Sequence, residues 1–228
     1  MNHNFITAKS FFSQDNRPVF LYKNIWKERT TALLHGPREI DKSELALAIA
    51  TDIASRGKDV LYVNTTGNIE GLKSDSERVF IFKPEFESID DKSDYADLVF
   101  DAIEYAVRNT AIRTFVIDSV NRIAALSFGR NASQAYIMKR LVALQVKCKL
   151  SILVLADHTT KSVKNALIAL SDIDMGLSIE PAEMPKSETH TTTGSVRRYV
   201  TAEDSEHQLS RGVKSDAFRF PVCRPAAR

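Results

Sequence analysis

Residues 36 to 44 read Gly36-Pro37-Arg38-Glu39-Ile40-Asp41-Lys42-Ser43-Glu44, and no other stretch of the 228-residue chain restricts its fold so tightly. The run meets the phosphate-binding pattern G-x-x-x-x-G-K-[ST] at Gly36, Lys42 and Ser43, but Asp41 stands where the second glycine belongs. Such a loop works only between a buried strand and a helix N-terminus, because bare backbone N–H groups and the lysine must converge on phosphate oxygens. The flanks supply both elements. Residues 30–35 form a short apolar run that reads as a buried strand. From Lys42 to Arg56, Leu45, Leu47, Ile49, Ala50 and Ile53 give a helix with a broad apolar face, and Gly57 is a natural stop. A carboxylate inside the cradle repels the ligand: one charge about 5 Å from a phosphate charge costs about 3 kcal/mol at an effective dielectric near 20, or about two decades of affinity. Lys42, Arg38 and a magnesium ion offset part of that cost. The steric demand is milder, since aspartate is among the residues that tolerate positive φ.

The alternation of elements continues. Residues 59–64 and 78–82 are rich in β-branched and aromatic side chains and predict strands. Tyr95, Leu98, Val99, Ala102, Ile103, Ala106 and Val107 trace one face of a helix. Residues 114–118 predict a buried strand ending in Asp118, residues 133–149 a helix, and residues 151–156 a further buried strand followed by Asp157 and His158. Strands separated by helices of this length imply βαβ crossovers. The fold class is therefore α/β, a mainly parallel β-sheet flanked by helices, with short antiparallel edge strands near the C-terminus at 196–201 and 217–220. Residues 180–195, rich in Pro, Thr and Ser, predict a mobile loop. Residues 1–29 carry Phe5, Phe11, Phe12, Phe20 and Trp26 without a period and read as an irregular arm packing on a core of 30–202, with 203–228 as a C-terminal extension. Ligands on such sheets sit outside the carboxyl ends of the strands, where the loop, Asp118, Asp157 and His158 all fall.

Composition narrows the class without naming a function. The two cysteines, Cys148 and Cys223, match no metal-ligand spacing, and no run approaches the roughly 18 apolar residues of a membrane span. The N-terminus lacks the basic-then-apolar layout of a signal peptide, so the expected compartment is the cytoplasm, with no membrane partner. A net charge of +2 conceals a strong polarity. Asp75, Glu77, Glu85, Glu87, Asp90, Asp91, Asp94, Asp97 and Asp101 make one stretch acidic, whereas Arg130, Lys139, Arg140, Lys147, Lys149 and Lys161 make a later one basic. Solvated helix faces account for part of this. Two oppositely charged surfaces also suit head-to-tail self-association, or nucleic acid on the basic one.

Within the loop, Lys42 would meet the β- and γ-phosphates, the Ser43 hydroxyl would ligate magnesium, and Asp118 would hold that ion directly or through water. Gly36 to Ser43, then Val116-Ile117-Asp118-Ser119-Val120, then residues 153–158 resemble the RecA-like ATPases, including the RadA and KaiC branches. The resemblance spans residues 30–201 and implies a RecA-like P-loop NTPase core, with ATP and Mg2+ as cofactors where the site is live and none otherwise. It implies a nucleotide-binding set of Gly36, Pro37, Arg38, Glu39, Ile40, Asp41, Lys42 and Ser43, a γ-phosphate sensor at His158, and a late core strand at 172–180. In such proteins the loops after the Asp118 and Asp157 strands face DNA. That makes Phe128, Arg130, Lys139, Arg140, Lys161 and Lys164 candidates for nucleic-acid contact, with Phe128 as a stacking face.

The chain departs from the family at the water-activating acid. RecA-like ATPases usually carry a glutamate just after the second strand, and here the place reads Asn64-Thr65-Thr66-Gly67. Threonine cannot act as a general base near neutral pH. Glu70 substitutes only where the loop folds back. The expectation is a RecA-like nucleotide-binding-fold protein with weak or absent ATP hydrolysis, acting in DNA recombination, repair or replication. DNA, a RecA-like or polymerase protein, or further copies of the chain are its expected partners. The alternative is a catalytically dead pseudo-ATPase serving as an interaction or assembly module.

Overall fold

A computed structural model describes residues 19–38, 41–67, 69, 76–84, 94–157 and 161–176, with backbone alone for 177–180, 192–200 and 218–222. Glu39, Ile40, Glu70 and His158 lie outside the described residues, as do most of the N-terminal arm and C-terminal extension.

A short hairpin, β1 (Phe20–Tyr22) and β2 (Trp26–Lys27), precedes the main sheet. Then follow β3 (Thr31–Gly36), α1 (Lys42–Ser55), β4 (Val60–Asn64), β5 (Val79–Phe82), α2 (Tyr95–Asn109), β6 (Thr114–Asp118), α3 (Val120–Ala125), a 3-10 turn (Gly129–Ala132), α4 (Gln134–Cys148), β7 (Ser151–Asp157), α5 (Lys161–Ile168), β8 (Ile173–Glu180), β9 (Thr192–Val200) and β10 (Phe218–Val222). The main sheet has eight strands in the order β10-β9-β8-β3-β7-β6-β4-β5. From β8 to β5 the strands run parallel, and β9 and β10 continue the β8 edge antiparallel.

The central strands are apolar because both faces of the sheet are covered. Their alternate residues feed two separate cores. Leu33, Leu61, Val63, Phe115, Ile117, Ile152 and Val154 pack under α2, α3, α4 and α5. Ala32, Leu34, Val60, Tyr62, Val116, Leu153 and Leu155 pack under α1 and the β1–β2 hairpin. Helix starts are fixed by side-chain caps: Asp94 accepts from the Ala96 N–H at 2.9 Å, and Ser133 from the Tyr136 N–H at 3.4 Å.

Two expectations change, and one segment without a reading gains structure. The segment 20–27, read as irregular, forms a hairpin whose Trp26 is 0 % exposed and completes the α1-side core. Residues 192–195, read as loop, begin β9, because Glu180↔Thr193 and Ile179↔Gly194 pairing gives their backbone partners that the polar side chains do not advertise. The stretch after Asp118 is helical: Ser119 caps α3 by accepting from the Arg122 N–H at 3.4 Å. A helix of 6 residues is too short to show a period.

Replacing Trp26 with alanine should destabilise the protein by about 3–5 kcal/mol, the usual cost of emptying a buried aromatic site. Chemical denaturation of Trp26→Ala checks this, and a loss under about 1 kcal/mol would make the hairpin an accessory rather than a wall of the core.

Candidate functional site

The parallel register brings the chemistry to one rim. Gly36 pairs with Asp157 across β3 and β7, and Asn64 with Asp118 across β4 and β6. Because β7 lies between β3 and β6, the phosphate loop and both aspartates share the carboxyl ends of neighbouring strands.

Asp41 does not occupy the left-handed region that a loop glycine permits. Its φ is −74°, and its carboxylate accepts from the Glu44 N–H at 3.1 Å, so it is the N-cap of α1. The residue was expected to tolerate positive φ; instead the chain uses the first-turn preference for Asp and turns the carboxylate onto the helix's own N–H and dipole. Lys42 is buried, and its Nζ donates to the Pro37 carbonyl at 2.7 Å. The same ammonium lies 2.8 Å from Asp157 Oδ1. The Asp157 N–H donates to Asn121 Oδ1 at 2.8 Å, which ties the end of β7 to α3.

A second cluster surrounds Asp118. Ser43 and Asp118 are both buried and joined by a side-chain hydrogen bond. The Tyr62 hydroxyl donates to Asp118 Oδ2 at 2.9 Å and lies 3.3 Å from the Ser43 carbonyl oxygen. Burial pushes the Asp118 carboxyl above the usual carboxylate range, against the hydrogen bonds from Ser43 and Tyr62, the charge of Lys42 and a hydrogen bond from Thr66. Burial, and then the Asp118 charge, push the Tyr62 phenol far up, so it remains a proton donor at neutral pH. Thr65, where the family's glutamate is expected, is bound at both ends of its hydroxyl. Its Oγ1 donates to the Asp118 carbonyl at 2.8 Å and accepts from the Ser119 N–H at 2.9 Å.

The residues proposed for nucleic acid differ in exposure and in what holds them. Phe128 is 72 % exposed, and its N–H donates to Asp94 Oδ2 at 2.8 Å. The exposed Arg130 holds its guanidinium 5.2 Å from the Tyr136 ring centroid. Arg140 is engaged within the fold: it bonds Asp97 Oδ1 at 2.6 Å and Asn131 Oδ1 at 3.2 Å, and lies 3.9 Å from the Phe100 ring centroid. The acidic and basic stretches therefore meet each other at this point. Lys139 on α4 and Lys161 on α5 are exposed, and Lys164 is half-buried on α5.

Sequence reasoning placed Asp157 at the strand ends without giving it a role, and it passed over Tyr62 and Asn121. It also missed His35 and Asp174, which are buried at the root of the loop with Nε2 and Oδ1 2.5 Å apart. The alternation along β4 was the available signal for Tyr62, since a phenol on a wholly buried strand needs a partner.

The oxygen pair Ser43 and Asp118 fits a hard divalent cation, and magnesium bound there would supply Lewis-acid charge. The cradle fits a triphosphate poorly as it stands. Asp157 already neutralises Lys42, and Asp41 already takes an N–H of the α1 terminus.

No family model matches the chain, and no curated protein matches its sequence. Solved structures do resemble it. The KaiC-like protein PH0186 from Pyrococcus horikoshii OT3 aligns over 90% of this chain and 94% of its own, with a TM-score of 0.62 and 14% identity. The flagellar accessory protein FlaH from Methanocaldococcus jannaschii aligns over 87% of each chain, with a TM-score of 0.57 and 14% identity. At that identity the likeness speaks for fold, and the fold is the RecA-like α/β fold that the sequence resemblance implied.

The raised carboxyl of Asp118 has a thermodynamic consequence. Its folded-state pKa lies above the unfolded value of 3.8, so the folded protein binds the proton more readily. The charged form therefore costs stability at neutral pH, and that cost is relieved as pH falls through the folded pKa. Asp118→Asn should melt above the unaltered protein near pH 7 without magnesium, the gap closing toward about pH 4. Thermal unfolding across that range checks it, and a lower melting temperature for the variant near pH 7 would contradict it.

Proposed function

We propose that this chain is a RecA-like nucleotide-binding-fold protein whose ATP hydrolysis is weak or absent, and whose part in DNA recombination, repair or replication is played by binding. The observation that carries this reading is Thr65. General-base catalysis needs a group near the attacking water with a pKa close to the working pH. Thr65 is a hydroxyl already spent on the Asp118 carbonyl and the Ser119 N–H. Ser43 and Asp118 keep the residue types that bind magnesium, so the loss at Thr65 falls on turnover. Phe128 supports the nucleic-acid part: a phenyl ring left in water beside Arg130 suits an unpaired base, with Lys139 and Lys161 available to phosphates.

The second reading, a pseudo-ATPase working as an assembly module, is favoured by the β5 edge. That strand ends the sheet with Phe80 45 % and Ile81 54 % exposed, an apolar edge of the kind that recruits another chain.

Phosphate release from Mg-ATP tests the first reading. Turnover should stay below about 10⁻³ s⁻¹, with or without single-stranded DNA, against ~10 s⁻¹ for a typical enzyme. A rate above about 1 s⁻¹ that Lys42→Ala abolishes would contradict it.

Fluorescence anisotropy with single-stranded DNA separates the two readings. Phe128→Ala should weaken binding by about 1–3 kcal/mol if the ring stacks on a base. Arg140→Ala should act chiefly on stability, since that guanidinium is held by Asp97. No DNA binding by the unaltered protein at low salt would leave the assembly reading in its place.

A further inference from the structure

We propose that Asp157 is a resident counter-anion of the phosphate loop: its carboxylate holds the place on Lys42 that a phosphate group would take, and so decides which anions the site admits. The proposal rests on reading residues 36–43 as a nucleotide site. It goes beyond that reading by assigning the site's selectivity to a residue outside the loop.

Five observations converge on this role. The Lys42 side chain is 7 % exposed, and an ammonium so far from water requires an anion beside it. Asp157 Oδ1 meets it at 2.8 Å, within the range of a charge-assisted hydrogen bond. The position of Asp157 is set by the backbone: it is the Cα partner of Gly36, the first loop residue, and its N–H is held by Asn121 Oδ1 at 2.8 Å. The loop also closes on its own lysine through the Pro37 carbonyl at 2.7 Å. Meanwhile the helix N-terminus carries a second internal carboxylate, since Asp41 accepts from the Glu44 N–H at 3.1 Å.

The chemistry follows from charge. A phosphate oxygen approaching Lys42 must either displace Asp157 or lie beside it, and both options lower affinity. The Asp157 side chain is 30 % exposed, so water reaches it and an incoming anion can compete. Asparagine at 157 would keep the size of the side chain and remove its charge, taking from Lys42 the carboxylate that meets it at 2.8 Å.

Thermal unfolding with inorganic pyrophosphate tests this, using the unaltered protein, Asp157→Asn and the double variant Lys42→Ala/Asp157→Asn. Without added anion, Asp157→Asn should melt lower by about 5 °C. Pyrophosphate at about a hundredfold its Kd should then raise that variant by about 5–10 °C. The unaltered protein should move by less than about 1 °C over the same concentrations, and the double variant should not respond. Calorimetry should show Mg-ATP binding Asp157→Asn at least about tenfold more tightly than the unaltered protein.

Equal responses of the unaltered protein and Asp157→Asn would overturn the proposal and leave the nucleotide-site reading standing. No response of either to pyrophosphate or Mg-ATP would overturn both. If Asp157→Asn does not fold alone, refolding with pyrophosphate distinguishes the same outcomes: native circular dichroism recovered only with the anion supports the proposal, and none recovered with it sinks it.

Discussion

An ammonium nearly removed from water is stable only beside an anion, and in this chain the anion near Lys42 comes from the protein itself. That ion pair joins the first turn of α1 to the end of β7, and with the Pro37 carbonyl it closes the loop around its own lysine. Much of the rim follows from it. The end of β7 must lie beside the start of the loop, which the Gly36↔Asp157 register provides, and Asn121 must hold that end in place. A second carboxylate, Asp118, sits one strand further along and is held by Tyr62 and Ser43. The site thus contains two aspartates in different circumstances, one paired with a cation and one buried among hydroxyls.

The sheet makes this division possible. Period-2 alternation sends Tyr62 to the α1 face, where its hydroxyl lies near the Ser43 carbonyl, while Leu61 and Val63 pack beneath the helices of the opposite face. Among the described residues, four helices cover one side and one helix plus a hairpin the other, so β3, β4 and β6 are buried throughout, β7 is buried as far as Ala156, and solvent chemistry is left to the strand ends. Thr65 illustrates the result. Just past the end of β4 it completes hydrogen bonds to Asp118 at the end of the neighbouring strand and to Ser119 just beyond it, which strengthens the rim and removes the hydroxyl from any role toward water.

The fold was legible in the sequence because buried parallel strands announce themselves as short apolar runs, and each of those runs became a strand within a residue or two of its expected limits. Local signals were weaker where pairing or capping decided the outcome, as at Thr192 and at the six-residue α3. The site was legible only in part. Lys42, Ser43 and Asp118 follow from a contiguous motif and a strand end. Asp157 does not, because its meaning depends on pairing with a strand far away in the chain, and the neighbouring His158 drew the role that the family would assign. Asp41 stood out in the sequence as the odd letter in the loop, but its geometry was not legible there: it is a helix cap, with its charge turned to the helix's own N–H.

The central claim is that the Asp157 carboxylate holds the place on Lys42 that a phosphate group would take. A crystal structure of the unaltered protein grown with millimolar magnesium and a non-hydrolysable ATP analogue tests it most directly. Lys42 Nζ should stay within hydrogen-bond distance of the Asp157 carboxylate, with no phosphate group between them. An ordered triphosphate seated on Lys42, with Asp157 turned away, would contradict it.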